Sequence, residues 1–546
     1  MDTNKNIVIC SDGTGNSTIK GRGTNVFKLF EAVDVNGHRA HPDLRRQLAF
    51  YDDGVGTENL KWLRIFAGAT GYGLSRNVKQ LYRELCRVYE PGDSVYLFGF
   101  SRGAFTVRTL SGLINDCGLI DPADCETEDA FRQRVRAAYK AYRRKYRALL
   151  SRVVGGRRGP TAAEFRAAFA RRDAAGIPDV PRIRLLGVWD TVDAVGLPFA
   201  LADVWNKVVW QYKFETTTLC EVVERGCHAL ALDDERAEFE PVIWNENDPE
   251  TRRRVEQVWF SGAHSNVGGG YPQQGMSLVA LEWMMKHAEA QGLRFSPHMR
   301  DEYGSQQSFA DKCYDPRSGL GVFYRWKPRN VYRLCAKRGI DRPKLHISTI
   351  ERVLLAPEGY APGNLAPRCD VVTTEDHPTV RLSDVAAAIA AAHGSADPSP
   401  LLARKELWVR VGLVAYAAFI IGTFGSLARA LTVMALSPGG LGGFFETLSS
   451  TQTGFLAGLA STLWSDRLAF WLLVSGLSLG YYLSWLSDRS LRRYFSAFWH
   501  RARPPLRAAL RRTPAAMPPA STPPAASPAP GSAPAPESHP QEAVVA

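Results

Sequence analysis

Over residues 1–385, short apolar runs without helical period alternate with stretches in which apolar residues recur every three or four positions. Ile7–Cys10, Val95–Phe98, Ile183–Val188 and Val255–Phe260 are rich in β-branched and aromatic residues and predict strands. After the second of these, Val107, Leu110 and Ile114 fall at helical spacing, and the Arg/Lys-rich segment from Arg132 to Arg172 also reads as helical. Strands and helices in alternation predict an α/β domain over residues 1–385: a mainly parallel sheet with helices on both faces, and a helical cap-like insertion at about 123–180. Three of the four strands run directly into polar, glycine-containing loops. In parallel sheets ligands gather at such carboxyl ends, so chemistry is sought there.

Beyond residue 385 the pattern changes. Residues 386–406, with Gly394-Ser-Ala-Asp-Pro-Ser-Pro400, read as a linker. Residues 407–488 hold two long uncharged runs, about 408–428 and 468–487, with aromatic residues near their ends and Pro438-Gly-Gly440 between them. Each has the length of a bilayer crossing, which predicts a two-helix transmembrane hairpin. Arg404, Lys405 and Arg410 precede the first run, and Arg489, Arg492, Arg493, Arg501 and Arg503 follow the second. By the positive-inside rule the catalytic domain and the C-terminal tail are expected on the cytoplasmic side of a bacterial inner membrane. Residues 489–512 then form a basic juxtamembrane segment, and the Pro/Ala/Ser-rich residues 513–546 are expected to be disordered.

The formal charge of +12 suits either nucleic acid or an anionic membrane surface. Its concentration in the Arg132–Arg172 stretch and after the last apolar run, without any zinc-finger, RNA-recognition or helix-turn-helix signature, argues against nucleic acid. The nine cysteines are scattered, with no C-x-x-C pair. A disulfide framework or zinc site is not expected, and the chain suits a reducing compartment. Met1 leads almost directly into the first strand, so no signal peptide is expected.

Candidate chemistry centres on "SVYLFGFSRGAFTVR", Ser94 to Arg108, in which Ser101 stands between two glycines, after a strand and before a helix. That is the arrangement of a nucleophile elbow. Gly476-Leu-Ser-Leu-Gly480 matches the same short pattern but lies inside an apolar run with no change of period. A serine hydroxyl needs a base, and the base an orienting acid. "LLGVWDTVDAVG" offers Asp190 at a strand end, with Asp193 as its rival; "QVWFSGAHSNVGGGYP" offers His264, with His228 as the alternative in a segment that reads as helical. The oxyanion hole would combine the amide of Arg102 with Gly13 and Thr14 of "CSDGTGNS", a loop that also resembles a phosphate cradle or a simple Asx turn. No metal or cofactor is called for. The apolar segment Gly196–Phe214 suits a wall or lid of an acyl pocket, or equally a core helix.

Taken in order, "SDGTGN", "YDDGVGT", "GFSRGA", "GVWDTV", "HALALDDERAEFEP" and "VWFSGAHSNVGGGYP" closely resemble the catalytic domain of the type VI secretion phospholipase effectors, an α/β-hydrolase family, over about residues 5–275. The resemblance implies Ser101 as nucleophile, Asp190 as acid and His264 as base in ester hydrolysis of glycerophospholipids, and an immunity or chaperone protein as partner if the chain is an effector. Family members commonly carry Asp where this chain has Asn266. Two other functions are weighed beside it: a membrane-anchored hydrolase of small soluble esters or thioesters, and a non-catalytic membrane-tethered interaction protein.

Overall fold

A computed structural model of the chain describes residues 4–13, 23–53, 72–145, 159–173, 175–192, 217–316, 327–365, 368–374, 382–393, 407–408, 411 and 467–511. The predicted strands are all present, and others join them in one 8-stranded, wholly parallel sheet of order β2-β1-β3-β4-β5-β6-β7-β8. The strands are β1 Asn6–Ser11, β2 Gln47–Asp52, β3 Ser94–Phe100, β4 Ile183–Trp189, β5 Val223–Ala231, β6 Val255–Phe260, β7 Lys344–His346 and β8 Asp370–Val372. The helices that matter here are α1 Asn25–Ala32, α2 Tyr72–Val88, α3 Arg102–Cys117, α4 Glu128–Arg144, α5 Ala162–Phe169, α6 His264–Gly268, α7 Gly275–Ala290, α8 Ile347–Leu355, α9 Leu382–His393 and α10 Arg467–Arg511.

The central strands read as continuous apolar runs because both of their faces are covered. Ile7 and Ile9 of β1, with Val95 and Leu97 of β3, enter a core shared with α2, α3, α4 and α5. The alternate residues Val8, Cys10, Tyr96 and Phe98 enter a second core with α1 and α7. Within the segment read as a cap-like insertion, Phe131, Val135, Tyr142 and Phe165 join the first of these cores.

His228 lies on a strand, not on the helix expected around it. The run VERGCHALA has few β-branched residues and looks helical in isolation, but β5 pairs in parallel with both β4 and β6. Sheet neighbours on both sides override the local preference.

The C-terminal helix departs further from expectation. α10 runs for 45 residues, roughly 67 Å. Its second half docks on α8 and α9: Phe498, Trp499, Ala502 and Leu506 share a core with Ile350, Val353, Val385 and Ile389. The Trp499 indole N–H donates to the Pro362 carbonyl at 2.7 Å. Residues expected to form a basic juxtamembrane stretch are thus helical through Arg511 and partly buried. Among the described residues no helix is long and apolar enough to cross a membrane, so the transmembrane hairpin is not supported. The second expected span, 468–487, is the first part of α10, where Ser475, Ser478, Ser484, Gly476 and Gly480 interrupt its leucines. The first span beyond Val411, Thr14, Asp193, the Gly196–Phe214 segment and the 513–546 tail lie outside the described residues.

Candidate active site

The direction of strand order reverses at β1, which has β2 on one side and β3 on the other. Such a reversal opens a crevice at the carboxyl ends of the strands. β1 ends there in Ser11-Asp12-Gly13, and β3 in Phe100-Ser101.

Ser101 makes the whole turn from β3 into α3, with φ 58° and ψ −120°. A non-glycine residue in this region costs about 1–3 kcal/mol and persists only where its surroundings hold it. The two flanking glycines are part of that holding. A Cβ at Gly103 would lie 2.0 Å from the Ser11 carbonyl oxygen, and one at Gly99 would lie 2.6 Å from the Gly103 carbonyl oxygen. Only with both absent can α3 start this close to the sheet. The Ser101 N–H donates to the Trp189 carbonyl at 3.1 Å, tying the turn to the end of β4.

Asp190 directly follows β4, also at positive φ, and is fully buried. Its Oδ1 accepts from the Ala231 N–H at 3.0 Å and from Arg329 Nη1 at 2.7 Å; its Oδ2 accepts from Arg329 Nη2 at 2.8 Å. Burial by itself would raise the Asp190 carboxyl, but the Arg329 guanidinium and the hydrogen bonds from His264 and Arg329 outweigh it and hold the group well below the usual carboxylate range.

His264 opens α6 after β6. Two carboxylates at the end of β5 fix its loop: Asp233 accepts from the Gly262 N–H at 2.6 Å, and Asp234 accepts from the His264 N–H at 3.2 Å. The imidazole packs between Phe100, at a centroid distance of 4.5 Å, and Phe239, at 5.0 Å and nearly perpendicular. Its Nδ1 lies 2.6 Å from Asp190 Oδ2. An ionised carboxylate can only accept, so Nδ1 carries the proton and Nε2 presents its lone pair. Nε2 is buried and has no hydrogen-bond partner among the described residues. Burial lowers the pKa of this imidazole below its ordinary 6.5, against the opposing pull of Asp190.

His228, the alternative base, accepts from the Thr191 N–H at 3.1 Å through Nε2. Burial, assisted by the charge of Arg108, pushes its pKa down to about 3, so it stays a neutral acceptor. In the first glycine loop, the Gly13 N–H donates to Asp12 Oδ1 at 2.6 Å, and Asp12 Oδ2 accepts from Thr24 at 2.5 Å and Tyr51 at 2.7 Å. The Gly13 amide is therefore engaged by its neighbour. Arg102 begins α3 immediately after Ser101.

Asn266 uses both ends of its amide. Its Oδ1 accepts from the Ala263 N–H at 3.2 Å, and its Nδ2 donates to the Lys312 carbonyl at 3.1 Å. A carboxylate could perform the first task and not the second. Arg329 stands in none of the quoted motifs, and Asp233 and Asp234 stand in "HALALDDERAEFEP" without an assigned role. The two aspartates carry the weak signal of adjacent acids ending an apolar run, whereas Arg329 carries none. No group of three or more His, Cys, Asp or Glu side chains among the described residues is arranged to hold a metal ion.

Residues 5–287 match the family model described as T6SS, Phospholipase effector Tle1-like, catalytic domain. Among curated proteins, the Uncharacterized protein YEL023C of Saccharomyces cerevisiae is 25% identical over 254 residues, covering 44% of this chain and 33% of its own length. The chain thus spans about a third of that relative. Among solved structures, an uncharacterized protein from Pseudomonas aeruginosa aligns with a TM-score of 0.33 and 18% identity, over 56% of this chain and 49% of that one.

Proposed function

The chain belongs to the family of T6SS Tle1-like phospholipase effector catalytic domains, and we propose that it is a phospholipase-type hydrolase that cleaves carboxylic esters of glycerophospholipids with Ser101 as nucleophile. In this reading His264 Nε2 accepts the Ser101 hydroxyl proton as Oγ attacks the ester carbonyl. The carbonyl π electrons move onto oxygen, and the oxyanion is met by the Arg102 amide and the positive N-terminal end of α3. Gly13 would contribute only after releasing Asp12; Thr14, outside the described residues, is proposed as a further donor from that loop. The imidazolium, steadied by Asp190, then gives its proton to the leaving alkoxide. Water attacks the acyl-serine with His264 again as base, releasing the fatty acid and restoring the hydroxyl.

The observation that carries the reading is the 2.6 Å contact between His264 Nδ1 and a carboxylate held ionised, at the strand ends that also bear the strained Ser101 turn. The test is hydrolysis of dispersed glycerophospholipid against that of short soluble esters by the purified chain. Release of fatty acid that vanishes in Ser101→Ala supports the proposal. Activity confined to soluble esters contradicts the lipid assignment, and activity that survives the substitution contradicts the nucleophile.

A further inference from the structure

We infer that Arg329, which lies beyond the 5–287 family match, is the positioning residue of the acid: it locks Asp190 in one rotation so that Oδ2 faces His264. This rests on the Ser101–His264–Asp190 reading above and extends it.

The geometry is that of a fork meeting a fork. Nη1 and Nη2 each bond one oxygen of Asp190, at 2.7 and 2.8 Å. The same two nitrogens donate to the backbone carbonyls of Ala231 and Phe239, so the guanidinium is itself held from behind. With the Ala231 N–H on Oδ1 and His264 Nδ1 on Oδ2, each carboxylate oxygen has two donors. Rotation of the Asp190 side chain would break all four bonds at once. Both charged side chains are withdrawn from solvent, at 1% and 0% exposure, so water cannot replace a lost partner. A lysine would supply the charge without the planar fork.

The pairing also sets how strongly the carboxylate pulls on the imidazole. A guanidinium that neutralises Asp190 weakens the stabilisation of a protonated His264, which keeps the base free at lower pH. The other charges nearby are partnered: Asp234 with Arg236, Asp233 with Tyr360, and Glu240 with Lys327. His228, which accepts from the N–H of Thr191 next to Asp190, is neutral.

The experiment is the rate of fluorophosphonate labelling of the full chain against pH, for wild type, Arg329→Gln and Arg329→Lys, with folding checked by circular dichroism. Arg329→Gln is expected to lower the limiting rate about 10- to 100-fold, the scale of a misplaced catalytic group, and to move the acid limb to higher pH. Arg329→Lys is expected to retain the wild-type limb while still losing rate. Folded variants that label at the wild-type rate, or that lose rate equally with no movement of either limb, overturn the inference. If Arg329→Gln does not fold, Arg329→Lys decides alone: a reduced rate with an unmoved limb supports the inference, and a wild-type rate overturns it. Absence of labelling in the wild type would instead sink the serine-hydrolase reading, which keeps the two failures distinct.

Discussion

Ser101 and Asp190 end neighbouring parallel strands, and both hold positive φ, 58° and 39°. They are joined through the backbone, since the Ser101 N–H donates to the carbonyl of Trp189, the residue before Asp190. Each of these two conformations costs stability and persists because the surrounding sheet edge holds it.

Asp190→Asn is expected to keep the shape and lose the chemistry. An amide turned to accept from Arg329 presents its NH2 to His264 and forces the proton onto Nε2, where it blocks the base. The expected fall in kcat is about ten-thousand-fold. Arg329 would be left buried without its counter-charge, at a cost of about 3–5 kcal/mol. Kinetics and thermal melting of the same preparation separate the two effects.

The acid limb of kcat/KM is expected below pH 6.5, because burial disfavours the charged form of His264 despite the pull of Asp190. Only neutral His264 accepts the serine proton, so activity is retained as pH falls from 7 until it passes the lowered pKa, and then declines. Stability follows the same sign. Both His264 and Asp190 bind protons more readily in the unfolded chain, so acid progressively favours unfolding, first through the histidine and then through the aspartate. Denaturant midpoints measured from pH 8 down to pH 4 check this.

Gly103→Ala is expected to damage the elbow, since the new methyl would sit 2.0 Å from a backbone carbonyl oxygen that cannot swing aside. The first turn of α3 has to move away from β1 and carries Ser101 with it. A stability loss of roughly 1–3 kcal/mol together with slower labelling of Ser101 is the expected result; a melting temperature and labelling rate equal to wild type would contradict the packing described.

Asn266→Asp is expected to destabilise this chain. The Lys312 carbonyl would lose its donor and face a carboxylate oxygen, at a cost of about 1–3 kcal/mol. Chemical denaturation measures it, and raising the acidity of the buffer should narrow the difference as the new carboxyl protonates.

The fold was legible where a strand is buried on both faces. Ile7–Cys10 and Val95–Phe98 advertise themselves because every residue is apolar, whichever face it serves. β5 escaped notice because its pairing, not its composition, makes it a strand, and β7 and β8, of 3 residues each, are too short to show a period. Strand ends drew attention to Ser101, Asp190 and His264. The 2.6 Å contact between the last two is a fact of tertiary structure, as is Arg329, whose carboxylate lies 139 positions earlier in the chain. The apolar run at 468–487 misled for a related reason: hydropathy does not reveal that the same helix continues into a segment docked by Phe498, Trp499 and Leu506.

The central claim, that one serine is made reactive by its surroundings, is tested most directly by treating the full chain with a fluorophosphonate and locating the adduct by peptide mass spectrometry. The account predicts a single phosphonylated site at Ser101, formed quickly in the wild type and lost in His264→Ala. An adduct on another residue, or labelling of Ser101 that is indifferent to the loss of His264, would contradict it.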